Sequence, residues 1–117
     1  MRQDEHRFHH DVERGDLLFA EDDGSDSLYV VLSGRIAVSK RSIDGRESMV
    51  ALMERGDLIG EMGLFDGEPR SAEARALEAS QVLTIPFDPL QKIYEARPQL
   101  LWGVVRLLSG RLRSTNV

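Results

Sequence analysis

The sequence predicts a mainly β domain, a small antiparallel roll, barrel or sandwich followed by helices. Three observations predict it: turn signals recur about every ten residues, short apolar runs separate them, and helical signals replace both after Pro86. The turn signals are Asp23-Gly24, Asp44-Gly45 and Asp66-Gly67, with Gly15-Asp16 and Gly56-Asp57. Glycine tolerates the positive φ that tight turns need.

The expected strands are 17–20, 28–32, 35–40, 48–53 and 81–85. Arg35 to Lys40 alternates in part, as a half-buried strand should. Leu28-Tyr29-Val30-Val31-Leu32 is continuously apolar, which fits a strand covered on both faces. Residues 1–14 carry no apolar periodicity and are expected as a flexible arm or short docking segment, ahead of a β-roll over 15–86. Asp88 is placed to N-cap a short helix over 88–96, with Pro89 at its first position and Gln91 as a capping-box partner. Arg97-Pro98 interrupts it. A long helix then spans 98–116 with two apolar stripes. One is Leu100, Val104 and Leu107, flanked by Trp102. The other is Leu101, Val105, Leu108 and Leu112. One stripe suffices to dock the helix on the roll, so the second is expected to form a homodimer seam; packing of both within the chain is the alternative.

Composition removes whole function classes. The chain has 117 residues, one domain's worth, and 41% are hydrophobic, enough for a core. No apolar run approaches the roughly 20 residues of a membrane span. The start, Met1 to His6, is polar and unlike a signal peptide, so a cytoplasmic domain is expected. The net charge of −5 disfavours general nucleic-acid binding, which depends on Lys and Arg neutralising phosphates. With no cysteine, disulfides, thiolate metal sites and cysteine nucleophiles are excluded. The histidines are His6, His9 and His10 alone, so the body of the chain has no His-based triad, and no metal site is expected.

Residues 56–76 carry the chemistry. Gly60 and Gly63 permit close backbone approach to a ligand. Gly60-Glu61-Met62-Gly63 can open a helical turn whose N–H groups face an anion. Arg70 offers a planar fork for a phosphate, Ser71 a hydroxyl beside it, and Glu61 an acceptor for a sugar hydroxyl. Together they point to a nucleotide. Separately, Glu61 and Arg70 would read as a surface ion pair and Gly-x-x-Gly as a turn.

The stretch Gly60-Glu61-Met62-Gly63-Leu64-Phe65…Pro69-Arg70-Ser71-Ala72 resembles the phosphate-binding cassette of cyclic-nucleotide-binding domains, in particular those of the bacterial catabolite activator (CRP/FNR) superfamily. Gly15 to Phe19, Leu28 to Val38 and the helical tail extend the resemblance over about residues 12–117. It implies a cupin-like antiparallel β-roll (jelly roll) with a short helix and a long C-terminal dimerisation helix. It also implies cyclic AMP as the ligand, with cyclic GMP as the alternative, and no further cofactor. Glu61 would hold the ribose 2′-hydroxyl, Arg70 would pair with the cyclic phosphate, and Ser71 would hydrogen-bond it. Gly60, Met62, Gly63 and Ala72 complete the cassette. Thr115 and Asn116 align with a polar pair that contacts adenine, which would place the base at the subunit interface.

The resemblance has departures. Relatives start with a helical stretch before the first strand, and regulators continue into a helix-turn-helix that residues 1–117 do not contain. The expectation is therefore a sensor, either part of a larger regulator or free-standing, without direct DNA contact. The basic residues Arg106, Arg111 and Arg113 suit the C-terminal end of a helix dipole. Iron–sulfur, haem-sensing and metal-dependent cupin relatives need Cys or His residues that the roll lacks. Two rival readings are a dimerisation module that binds no nucleotide, and the regulatory domain of a larger enzyme, kinase or channel.

Overall fold

The computed structural model describes residues 8–100 and Gly103, except the side chain of Tyr94. Two four-stranded antiparallel sheets form the roll. One has the order β1 (His9–Val12), β8 (Ser80–Pro86), β3 (Ser27–Ser33), β6 (Leu58–Ile59). The other has the order β2 (Leu17–Phe19), β7 (Glu73–Ala76), β4 (Ile36–Arg41), β5 (Glu47–Met53). Helix α1 (Met62–Asp66) lies between β6 and β7, and α2 (Phe87–Ala96) follows β8. The expected β-roll with a short helix is borne out, and the long helix expected over 98–116 lies, beyond 98–100 and Gly103, outside the described residues.

Strand β3 shows why its run is apolar throughout. Leu28 and Val30 pack with Leu64 of α1 and with Phe87 and Leu90 of α2. Tyr29 and Val31 point the other way, into the core between the sheets, with Ile36, Ile59, Ala74, Ala76 and Val82. Successive side chains alternate between faces, so a strand with a buried surface on each side must be apolar at both parities.

One turn design recurs three times. Glu13-Arg14-Gly15-Asp16 and Glu54-Arg55-Gly56-Asp57 share a sequence and a geometry. In each, the Asp N–H donates to the Glu carbonyl (3.0 and 2.9 Å), and the Glu N–H donates to the Asp carboxylate (3.0 and 2.8 Å). Gly15 and Gly56 both sit at φ +91°. The third turn, 20–23, repeats both bonds between Ala20 and Asp23, with Asp22 at φ +73° where the others have glycine. Asp is among the few residues that tolerate this region.

Two expectations are corrected. Residues 9–12, placed in a flexible arm, form β1, which pairs with β8 from His9↔Leu83 to Val12↔Ser80. An edge strand is held by main-chain bonds and needs no apolar alternation; only Val12 packs against the core. Helix α2 starts at Phe87, with Pro86 rather than Asp88 at its N-cap and no side-chain cap. Phe87 fixes this start, because its ring is buried and its N–H donates to the Asp26 carbonyl at 2.8 Å. Pro89 then stands third in the helix, where a missing N–H still costs no intrahelical bond. The helix ends before Arg97-Pro98 as expected, and helical backbone resumes at 98–100. Strands β6 and β7 were not foreseen, the first being two residues long and the second alternating charged residues with alanine only.

Gly34 occupies φ +89°, and a Cβ there would lie 2.0 Å from Ser80 Oγ and 2.7 Å from its Cα. Gly34→Ala should therefore cost about 3 kcal/mol, strain and overlap together. Gly45, at φ +84° with open space around it, should lose only about 1–2 kcal/mol as Gly45→Ala. Urea denaturation of both variants checks the difference.

Candidate functional site

A cleft of about 440 Å³ opens between the segment 60–63, the stretch 68–72 and the core residues Phe19, Val38, Met53, Leu58 and Ile59. All the described residues singled out from the sequence line it: Gly60, Glu61, Met62, Gly63, Arg70, Ser71 and Ala72. Thr115 and Asn116, and the seam Leu101, Val105, Leu108 and Leu112, lie outside the described residues.

Arg70 dominates the cleft. It is only 5% exposed. Its Nη1 donates to the Gly60 carbonyl at 2.9 Å and its Nη2 to the Ser27 carbonyl at 2.6 Å. The guanidinium lies over the Phe19 ring, 4.2 Å from the centroid, with Tyr29 at 5.8 Å and Phe87 at 6.0 Å. Its Nε is buried without a partner. Among the described residues no carboxylate forms an ion pair with it, so the surface-pair alternative with Glu61 does not hold. Burial pushes the guanidinium below its ordinary pKa, opposed by electrostatic attraction from Tyr29, Asp26 and Asp23. Arginine remains a cation nonetheless. The result is a buried positive charge on the cleft wall, hydrogen-bonded by neutral carbonyls and, among the described residues, with no carboxylate in ion-pair contact.

The local chain explains this placement. The turn 20–23 grips the Arg70 main chain on both sides: Asp22 N–H donates to the Arg70 carbonyl and Arg70 N–H to the Asp23 carbonyl, each at 2.8 Å. Gly60, at φ +78°, leaves the space the guanidinium fills. A Cβ there would stand 2.3 Å from Nη1 and 3.4 Å from Phe19 Cε2. Helix α1 is anchored by buried Leu64 and ends at Gly67, whose N–H returns to the Gly63 carbonyl at 3.0 Å. Gly63 passes so close to Ser25 that a Cβ would lie 2.0 Å from Oγ, and that hydroxyl is buried without a partner. Ser71 is exposed and Glu61 partly so, at the open side.

A second cleft, about 410 Å³, is lined by Glu21, Asp22, Glu47 and Glu73 with Arg41. Its charge would repel an anion. His9 and His10 are exposed on β1, and no group of three or more metal-ligating side chains occurs among the described residues. Nor is any helix among them long and apolar enough to cross a membrane. Sequence reasoning missed the seat beneath Arg70. Phe19 ends the Gly15 to Phe19 stretch, but an aromatic residue in a strand reads as core, and the Ser27 carbonyl leaves no trace in side-chain identity.

The model of the cyclic nucleotide-binding domain matches residues 9–97. The chain belongs to that family. Within it, the chain is 34% identical over 106 residues to the "CRP-like cAMP-activated global transcriptional regulator" of Mycobacterium tuberculosis, covering 91% of this chain and 47% of that protein. The chain thus spans about half the length of the curated relatives it matches. Among solved structures it is similar to the catabolite activator protein of Thermus thermophilus, at a TM-score of 0.73 and 30% identity, covering 92% of this chain and 51% of that one. It is also similar to an EAL enzyme in its cAMP-bound form, at a TM-score of 0.72 and 27% identity, covering 92% of this chain and 29% of the other. In this cyclic nucleotide-binding domain, the family's motif residues and the uncompensated arginine share one cleft.

Gly60→Ala should displace the guanidinium and cost about 2–4 kcal/mol, from strain at positive φ and overlap with Nη1. Urea denaturation measures it, and Gly67→Ala, which meets nothing within 4 Å, is the control for strain alone.

Proposed function

We propose that this chain is a cyclic-nucleotide sensor that binds cyclic AMP, with cyclic GMP as the alternative, and belongs to a CRP/FNR-type transcriptional regulator. The observation that carries the reading is the buried, unpaired charge of Arg70 facing a cleft of ligand size. A cyclic phosphate carries one negative charge and supplies the missing counter-anion. Of the five N–H donors of the guanidinium, two are engaged by carbonyls; 5 − 2 leaves three for phosphate oxygens, the unpartnered Nε–H among them.

In this reading Ser71 adds a hydroxyl to the phosphate and Glu61 takes the ribose 2′-hydroxyl. Gly60, Met62, Gly63 and Ala72 let the main chain close around them. An arginine–phosphate bond contributes roughly 1.5–3 kcal/mol net. Micromolar binding needs about 8 kcal/mol, so Glu61, Ser71 and burial of the base supply the rest. Thr115 and Asn116 contact the base at the seam of a homodimer formed by Leu101, Val105, Leu108 and Leu112. The ligand then shifts the paired helices toward the arrangement it binds better. The chain acts by binding, without catalysis, membrane insertion or direct DNA contact, in the cytoplasm. The similarity to a domain of an EAL enzyme favours a second reading, the regulatory domain of a larger enzyme.

Calorimetric titration with cyclic AMP and cyclic GMP tests the proposal. Saturable binding is expected, weakened about 10- to 100-fold in Arg70→Ala. An unchanged affinity in that variant would sink the phosphate assignment. No binding of either nucleotide by the wild type would leave the dimerisation-module reading. Burial lowers the Arg70 pKa, yet the group stays charged at neutrality and the cyclic phosphate is anionic there. Affinity should therefore be flat between about pH 6 and pH 8, a range the same titration covers.

A further inference from the structure

Phe19 has no role in the phosphate chemistry above, yet it makes the closest aromatic contact of the charge that performs it. Its ring centroid is 4.2 Å from the Arg70 guanidinium carbon. The Phe19 ring in turn leans on Tyr29, centroids 5.8 Å apart at 33°. On the guanidinium's rim stand the two carbonyls, Gly60 and Ser27. A Cβ on Gly60 would touch both partners, Nη1 at 2.3 Å and Phe19 Cε2 at 3.4 Å. Ring, guanidinium and bare glycine are thus packed against one another with no room for a side chain between them.

A buried cation must meet negative potential from some source. Among the described residues no carboxylate provides it as an ion pair, Asp26 and Asp23 acting without such contact, and the face of an aromatic ring is negative. We propose that Phe19 is the positioning residue of the site: its π-face holds the ligand-free Arg70 guanidinium in the plane that presents its free N–H donors to the incoming phosphate, in place of a carboxylate that would compete with that phosphate. The assignment rests on the cyclic-nucleotide reading. It explains why the face of the guanidinium meets an aromatic ring rather than an acid. An acid at this distance would pair with Arg70 and have to be displaced by the ligand, whereas a ring stays stacked on one face while the edge engages an anion.

The test uses the 117-residue chain with Phe19→Leu, which removes the π-face and keeps apolar bulk, and Phe19→Tyr, which keeps the face. Each is measured in the Arg70 and Arg70→Ala backgrounds. Phe19→Leu should weaken cyclic AMP binding about 5- to 30-fold, the scale of a desolvated cation–π contact. Phe19→Tyr should restore it to within about twofold. In the Arg70→Ala background Phe19→Leu should have no further effect, because there is no cation left to position. Equal losses in Leu and Tyr variants, or the same loss with and without Arg70, would overturn the proposal and make Phe19 a direct ligand contact or simply a core residue.

A second readout needs no ligand. The Arg70 Nε–H resonance in the NMR spectrum should be ring-current shifted in the wild type and in Phe19→Tyr, and should move toward the ordinary arginine position in Phe19→Leu. A resonance unmoved by Phe19→Leu overturns the seat itself. A wild type that binds no cyclic nucleotide but shows the shifted resonance would refute the functional reading and leave the seating of Arg70 in place. Thermal melts of both variants establish that each is folded before either comparison is made.

Discussion

A single buried guanidinium sets the constraints on this domain. Arg70 is almost removed from water, and the surrounding structure is organised to make that tolerable. Two main-chain carbonyls take two of its donors, an aromatic ring covers its face, and a turn grips its own backbone on both sides. Each provider comes from a different part of the chain: β2, the start of β3, the end of β6 and the turn at 20–23. Among the described residues no carboxylate stands in ion-pair contact with the guanidinium, although Asp23 and Asp26 attract it without direct contact. Hydrogen bonds to charged groups are stronger than neutral ones, but they replace hydration only in part. On the proposed reading, an anion in the cleft completes what the protein leaves incomplete, and that deficit is the physical basis for ligand affinity.

The same constraint explains the glycines that matter. Gly60 is bare because the guanidinium occupies the volume of its side chain, and Gly34 because Ser80 does. Gly15 and Gly56 serve a different need, the positive φ of a turn closed twice by its own Asp and Glu. Asp22 fills the equivalent place in the third turn, the one that holds Arg70. There the chain accepts a conformation that glycine would adopt more easily.

Much of this was legible in the sequence because its causes are local. Asp-Gly and Gly-Asp pairs announce turns through backbone conformation, and the apolar run at 28–32 announces a strand between two buried faces. The cassette residues came together because residues 60–63 and 70–72 are separated only by a short helix whose Gly67 ends it in a left-handed conformation. What escaped notice was caused at long range. Strand β1 exists because β8 offers it hydrogen bonds, and no pattern in His9-His10-Asp11-Val12 reveals that partner. The start of α2 was misplaced because Asp88 is a good cap in isolation, whereas burial of Phe87 fixes the helix two residues earlier. The seat of Arg70 was hidden for the same reason. Phe19 lies 51 positions away in the chain, and carbonyl groups are identical in every residue.

The placement of Ser27 ties the binding charge to the helical end of the domain. Its carbonyl accepts from Arg70, and the adjacent Asp26 carbonyl accepts from Phe87 N–H, the first residue of α2. Ser27 also stands opposite Pro86 in the β3–β8 ladder. Two neighbouring peptide groups thus hold the Arg70 guanidinium on one side and the root of the helix on the other. In the proposed function, any shift of Arg70 on binding bears first on the Ser27 peptide, which adjoins the one that roots α2.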